Sequence, residues 1–348
     1  MKRLIAFCFS ILILLSSVSC SDPVHSERLG GLKTPEGEIY PEDFLYFDGK
    51  EISFTEFRYY YLNYKAMYLQ ENPDHFKTEG SEEALKEEIL QCLKDNWAVR
   101  FLASEKHVKL TSSEKKAVKS DIADTVNLYS GDKAFLEVLN ESHMSRALYD
   151  SMMEYSALYL KLFNRFFEEG GEAEFSDEEY YAYYRENYLA VLEIFLPYEE
   201  GEDEKSCEKT LAKAADVHAK AAAGEDFWGL VQAFGKDENM LNYPDGYYFT
   251  EGEAEERLYE ASRALEIGQI SEPVVTTDGI YVLKRMELKT LRMDENRETA
   301  LFGYYDTYDV WHPGAYDEVF HEIYRARADK IEVKFGKHWE DVSTETVF

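Results

Sequence analysis

Two kinds of hydrophobic pattern divide the chain. From about residue 56 to 167 apolar residues recur at spacings of three and four, as in Ala84, Ile89, Leu93, Trp97 and Phe101, and no stretch alternates as a strand would. This region reads as several helices packed on one another. It is entered through Leu45-Tyr46-Phe47, an Asp48-Gly49 turn and a second strand entry ending near Ile52, with Ser53 or Thr55 able to cap the helix that follows. Thr111 with Glu114, and Ser176 with Glu179, have the spacing of capping boxes and predict helices opening near 112 and over 178–188. The Gly170-Gly171 pair, in an acidic stretch, marks the end of the helical region and a domain boundary.

Beyond that boundary the texture changes. Leu189 to Pro197 is an apolar run of strand length. An Ala/Lys-rich helix is expected over 207–223, short helices over 227–234 and 258–264, and a closing strand over 279–286, with an edge strand near 247–250. This order suits an α+β fold in which helices cover an antiparallel sheet. In the tail, Tyr316, Val319, Phe320, Ile323 and Tyr324 again have helical spacing, and Ile331, Val333 and Phe335 alternate as a terminal strand does. The expected organisation is a leader over 1–19, a tether over 20–43, a helical domain over 44–175, an α+β domain with its lead-in helix over 176–288, and a tail over 289–348 that could return to complete the helical domain.

Charge narrows the partners. The 348 residues carry 69 Asp and Glu against 38 Lys and Arg, a formal charge of −31, which excludes electrostatic binding to nucleic acid or to anionic membrane. With 45% hydrophobic and 15% aromatic residues, the chain still has ample material for packed cores. Lys2 and Arg3 precede a run of apolar residues, Leu4 to Leu15, and then small residues up to Cys20, the layout of an export signal. As a helix that run spans ~18 Å, short of the ~30 Å hydrocarbon core, so it does not read as a permanent span. The junction is similar to that of bacterial lipoproteins, with Cys20 as the lipidated first residue of an extracytoplasmic protein; simple secretion is the alternative. Cleavage before Cys20 removes two cations and leaves −33.

Little else suggests metal or covalent chemistry. Only Cys92 and Cys207 remain for the folded part, in regions that read as different domains, so no disulfide framework is expected. The histidines at 25, 75, 107, 143, 218, 312, 321 and 338 are scattered, and the acidic run over 199–204 lacks the spacing of a calcium loop. No metal and no cofactor is expected. Tyr60, Tyr64 and Tyr68 lie along one helix face, and a second Tyr group spans 180–188. Such rows are core or interface by default, and any that face outward would form an amphipathic cradle for non-native chains.

The second region resembles the parvulin-type peptidylprolyl isomerase domain. Leu265-Glu266-Ile267-Gly268-Gln269-Ile270-Ser271-Glu272-Pro273-Val274, followed by Gly279-Ile280-Tyr281-Val282-Leu283-Lys284, is similar to the family's L-x-x-G-E-I-S-x-P-V and G-Y-H-I-I-K stretches. Gly224-Glu225-Asp226-Phe227 and Asp245-Gly246-Tyr247-Tyr248-Phe249 resemble two further family motifs, in the family's order. Upstream, Phe47-Asp48-Gly49-Lys50-Glu51-Ile52-Ser53 and Ser176-Asp177-Glu178-Glu179-Tyr180-Tyr181 resemble the opening and the lead-in helix of SurA/PrsA-type foldases.

The resemblance implies a chaperone-like helical domain carrying a parvulin-like domain, with unfolded or newly exported polypeptides as partners. It also locates a site. Glu193 stands where the family has the His of the first strand, Asp237 keeps the carboxylate expected after the short helix, and Tyr281 replaces the His of the last strand. The substrate pocket is expected to draw on Phe249, Leu258, Ala254 and Tyr248, with Leu258 and Ala254 in place of the family's bulkier Phe and Met. Isomerase activity is accordingly expected to be weak or lost. Either Glu193, Asp237 and Tyr281 form a different hydrogen-bonded ring with one carboxyl pKa raised, or Glu193 is an ordinary strand residue and Tyr281 merely packs. The competing functional class is a surface lipoprotein, an adhesin or assembly scaffold, that reuses the fold for one fixed partner.

Overall fold

The computed structural model describes residues 30–348. The expected leader and the lipidation site Cys20 lie outside the described residues. In chain order the elements are β1 (Leu32–Thr34), β2 (Gly37–Ile39), β3 (Leu45–Phe47), β4 (Lys50–Ile52), α1 (Phe54–Glu71), α2 (Ser81–Glu105), α3 (Ser112–Leu128), α4 (Asp132–Glu141) and α5 (Arg146–Phe167). Then come α6 (Asp177–Asn187), β5 (Leu189–Pro197), α7 (Glu208–Ala222), α8 (Phe227–Phe234), β6 (Tyr247–Phe249), α9 (Glu256–Arg263), β7 (Val274–Val275) and β8 (Gly279–Arg285). The rest is α10 (Thr290–Glu295), α11 (Arg297–Phe302), β9 (Tyr304–Tyr305), β10 (Trp311–His312), α12 (Ala315–Ala328) and β11 (Val333–Phe335). The chain divides into two compact units, one running to residue 174 and resuming at 316–348, the other comprising 175–315. Among the described residues no helix is long and apolar enough to cross a membrane.

The first unit is α-helical around a small sheet. Asp48 and Gly49 both take positive φ, 47° and 75°, as a two-residue hairpin turn with the twist of its strands requires. Of the two candidate caps it is Ser53 whose hydroxyl accepts from the Glu56 amide at 3.1 Å, while the Thr55 hydroxyl pairs with that of Tyr40 at 2.7 Å. The tail returns here. β11 pairs antiparallel with β3, Val333 opposite Phe47 and Phe335 opposite Leu45, giving the order β11-β3-β4. Trp339 follows it into the core, its ring 5.6 Å from Phe44 and 5.5 Å from Phe57. The buried stripe of α2 begins at Leu85 and continues through Ile89 and Leu93, leaving Ala84 exposed. Tyr60, Tyr64 and Tyr68 pack half-buried against this core, where Asn96 donates to the Tyr60 hydroxyl and Tyr68 donates to Glu88. They serve the α1–α2 interface and form no outward cradle. Thr111 and Glu114 form the expected capping box.

The tether expected over 20–43 is corrected for residues 30–43. Leu32 is fully buried, β1 and β2 form a hairpin, and Gly31 exchanges backbone hydrogen bonds of 2.9 and 3.1 Å with Phe348. The Gly, Pro and charge content of the segment conceals Leu32, Ile39 and Tyr40, which pack into the core of the first unit.

In the second unit a four-stranded antiparallel sheet has the order β6-β5-β8-β7. Strand alternation assigns its two faces. Leu192, Ile194 and Leu196 on β5 and Ile280 and Val282 on β8 are buried with Ala214, Val217 and Ala221 of α7 and Phe227, Leu230 and Val231 of α8. The odd-numbered residues of β5, Val191, Glu193 and Phe195, share the other face with Arg285, Leu283 and Tyr281 opposite them. Helix α6 opens on the predicted Ser176–Glu179 capping box and buries Tyr180 and Tyr184. The boundary expected at 288 moves to 315 for a visible reason. Tyr180 donates its hydroxyl proton to the Met293 carbonyl, Asn296 donates to the Tyr184 hydroxyl at 2.8 Å, and the Arg297 guanidinium lies 4.1 Å from the Tyr180 ring. Residues 293–297 therefore pack on α6, and 289–315 belong to the second unit rather than to the tail. Cys92 and Cys207 are free thiols, one in each unit.

Candidate functional site

The odd face of the second unit's sheet is only partly covered by α9, and the gap is a cavity of about 190 Å³ lined by Val191, Glu193, Tyr247, Phe249, Glu253, Ala254, Leu258, Ser262 and Leu283. An apolar cavity of ~150 Å³ accepts a six-membered ring, so this one has room for a cyclic side chain. The edge strand that forms one wall depends on Gly246. Its φ is 97°, and a Cβ there would stand 2.8 Å from the Val191 carbonyl oxygen, so only glycine lets the turn approach β5 closely enough for β6 to pair.

Local structure delivers Asp237 to the same place. The Asp226 carboxylate caps α8 by accepting from the Gly229 amide at 2.9 Å, and α8 ends at Gly235. The Lys236 amide then donates to the Phe195 carbonyl at 2.9 Å, which pins the chain to β5 and puts Asp237 beside Glu193. Asp237 accepts from the Tyr247 hydroxyl at 2.5 Å and from the Asn239 amide at 3.0 Å. The Glu193 carboxyl is pushed up to about 8, first by burial in this apolar face, then by the negative charge of Asp237 and the hydrogen bond it makes to it. At neutral pH this shift favours the protonated form of Glu193 beside Asp237. The Tyr247 phenol is pushed far up, by burial and then by its bond to Asp237, so it stays a donor. Tyr281 sits on the same face with its ring 4.7 Å from that of Phe195, and burial and then the Glu193 charge raise its phenol too.

Of the residues singled out in the sequence, Glu193, Phe249, Ala254 and Leu258 line the cavity, Asp237 adjoins it through Glu193 and Tyr247, and Tyr281 flanks the pair. Tyr248 is a correction. It points to the opposite face of β6 from Tyr247 and Phe249, and its hydroxyl accepts from the Lys289 amide at 3.0 Å. Val191, Tyr247, Glu253, Ser262 and Leu283 are the lining residues sequence reasoning missed. Tyr247 was legible in principle, since it lies two positions from Phe249 on the same strand. Glu253 had no such signal: its carboxylate accepts from the Thr250 amide at 2.9 Å and from the distant Tyr304 hydroxyl at 2.7 Å. The arrangement is an apolar seat bordered by a carboxyl donor, a carboxylate acceptor and a phenol. Among the described residues no group of three His, Cys, Asp or Glu could hold a metal ion.

Residues 194–287 match the family model described as Rotamase, PPIC-type PPIASE domain, so the second unit carries a parvulin-type domain. Curated proteins with similar sequence include the foldase protein PrsA of Halalkalibacterium halodurans, 31% identical over 126 residues that make up 36% of this chain and 34% of that protein. The foldase protein PrsA of Oceanobacillus iheyensis is 38% identical over 71 residues, 20% of this chain and 24% of that one. The aligned stretches thus span about a third or less of those relatives. Among solved structures, the peptidylprolyl isomerase PrsA from Bacillus cereus aligns over 88% of this chain and 87% of its own, with 19% identity and a TM-score of 0.31.

Proposed function

We propose that this chain, with its PPIC-type domain, is a folding factor outside the cytoplasmic membrane, anchored by lipid at Cys20, that binds unfolded or newly exported polypeptides and whose prolyl isomerase activity is weak or lost. The observation that carries the reading is the cavity itself, a ring-sized apolar seat with the Glu193–Asp237 pair at its edge in a parvulin-type domain. A proline ring is the cyclic side chain every polypeptide offers. The amide before it crosses a barrier of ~18–20 kcal/mol between two states that differ by only ~0.5–1 kcal/mol. Catalysis therefore requires no covalent step. It requires a dry seat that holds the ring and polar groups that favour the twisted amide over both planar forms. Phe249, Leu258, Ala254, Val191 and Leu283 supply the seat. Glu193 in the wall and Tyr281 beside it stand at the positions occupied by histidine in the family the sequence resembles. Glu193, protonated, donates to Asp237 and Tyr247 donates to the same carboxylate, so both donors are committed to Asp237 rather than to a substrate carbonyl. That commitment supports binding without efficient turnover.

The test pairs two measurements on one preparation. Aggregation of two unrelated denatured proteins should be suppressed, while cis-trans exchange of a proline peptide, followed by NMR, should run little above its uncatalysed rate. Ala254→Trp, which fills the cavity, should abolish binding of the peptide. Robust isomerisation lost in Asp237→Ala would overturn the claim of weak catalysis, and failure to protect either client would overturn the folding role.

A further inference from the structure

We propose that the β9–β10 hairpin is a second subsite beside the cavity, which takes an aromatic or aliphatic side chain of the same extended polypeptide whose proline occupies the cavity. The inference rests on the reading of the cavity as a proline seat. Its own evidence lies in residues 304–312, beyond the stretch 194–287 that matches the PPIC-type domain.

The root of the hairpin is tied to the rim. The Tyr304 hydroxyl donates to Glu253 at 2.7 Å, and Glu253 lines the cavity. The ring of Tyr304 stacks on His312 at 4.8 Å with 11° between planes, and Gly303, at φ 70°, approaches so closely that a Cβ there would meet the His312 carbonyl oxygen at 2.4 Å. Across the hairpin, Tyr305 packs on Trp311 at 4.9 Å. The tip is organised by one carboxylate. Asp306 accepts from the Tyr308 amide at 2.8 Å and the Val310 amide at 2.9 Å, its second oxygen lies 3.3 Å from the His312 ring nitrogen, and Asp309 takes the left-handed φ of 60°.

On this fixed turn the apolar side chains face water. Tyr308 is 86% exposed and Val310 is 53% exposed. The turn is held through backbone amides and a carboxylate, so neither side chain is needed to maintain it. An exposed tyrosine on a pre-ordered loop binds with little further loss of freedom, because the loop is already fixed and the ring has two rotatable bonds. Four residues separate Tyr308 from Tyr304, and the Tyr304 side chain spans the rest of the way to the rim, a reach of at most ~20 Å in all, which is about six residues of an extended occupant. The subsite therefore reads a residue within about six positions of the proline. Asp306 and Asp309 belong to the same turn, so an acidic side chain there is disfavoured.

The test uses the full chain and three labelled, unstructured proline peptides that differ only at the third and sixth positions from the proline on both sides, carrying Phe, Ser or Glu there. The Phe peptide should bind ~3- to 10-fold more tightly than the Ser peptide, and the Glu peptide more weakly than either. The double substitution Tyr308→Ser with Val310→Ser should erase the Phe preference and leave the affinity for the Ser peptide unchanged. Equal binding of the Phe and Ser peptides to the unaltered chain, or a preference that survives the double substitution, overturns the subsite and leaves the cavity reading standing. Binding of no peptide overturns both.

Discussion

Replacing Glu193 by Gln tests whether the cavity wall holds a proton at neutral pH. The glutamine keeps the shape and a donor for Asp237 but cannot ionise. In the folded chain Glu193 titrates at about 8 against an ordinary glutamate value near 4.5. Between those values the folded state keeps a proton that the unfolded state has released, so stability falls as pH rises, by ~1.4 kcal/mol per pH unit at full effect, and levels off above pH 8. Across the window the loss reaches up to about 5 kcal/mol, with part of it relieved by rearrangement of a side chain that is only half-buried. Glu193→Gln removes this dependence. The two proteins should match near pH 4.5, and the variant should gain steadily over the parent up to pH 8. Hydrogen exchange of the Ile194 and Val282 amides, on the paired strands beneath the cavity, reads this unit without interference from the other. A stability difference that is flat from pH 5 to 9, or that widens toward acid, would refute the protonated-pair description.

Asp237→Ala should lower the titration midpoint of Glu193, because it removes the neighbouring charge and the hydrogen bond that help raise it, leaving burial alone; a carboxyl carbon NMR titration reads this directly. Trp339→Ala should cost the first unit ~3–5 kcal/mol, since the ring is 8% exposed and packs on Phe44, Phe57 and Phe335, and denaturant unfolding followed by helix signal should show it.

The α+β class, both capping boxes and the helix and terminal strand of the tail were legible because each rests on local periodicity or a fixed short spacing, whereas the return of the tail to β3 was left open. Less visible were contacts set by distant partners. Leu32 reads as tether until Val347 and Phe348 arrive from the other end of the chain, and 290–302 reads as tail until Met293, Asn296 and Arg297 meet Tyr180 and Tyr184. At the site, motif position located Glu193 and Asp237 but left open whether Glu193 was an ordinary strand residue. The neighbour of Glu193 came from elsewhere in the chain, because the cap at Asp226 and the Lys236–Phe195 bond place a second carboxylate beside it. The choice of Tyr248 over Tyr247 failed on strand parity, which a three-residue edge strand is too short to display. The tyrosine rows drew attention as a cradle, yet Tyr60, Tyr64 and Tyr68 are spent on packing, and the most exposed tyrosine of the hairpin, Tyr308, stands in a segment with no periodic signal.

The order of the units along the chain also constrains how it folds. The second unit is continuous, and all four strands of its sheet lie within 189–285. The first unit needs β11, Ile331, Trp339 and Val347, so its sheet and core close only after the whole of the second unit has been made. Loop closure over this longer span adds little free energy, ~0.6 kcal/mol per doubling of length, so the delay is kinetic rather than thermodynamic. We therefore expect pulse-labelled hydrogen exchange during refolding to protect Ile194 and Val282 before Asp48 and Gly336, whose amides donate to Glu332 and Phe44 only when the tail is docked. Deleting residues 331–348 should leave exchange at Ile194 and Val282 unchanged while the helical unit loses its cooperative unfolding transition. If Asp48 and Gly336 gain protection first, or the deletion spares the helical unit, the tail is not the last piece of its core and the folding order is reversed.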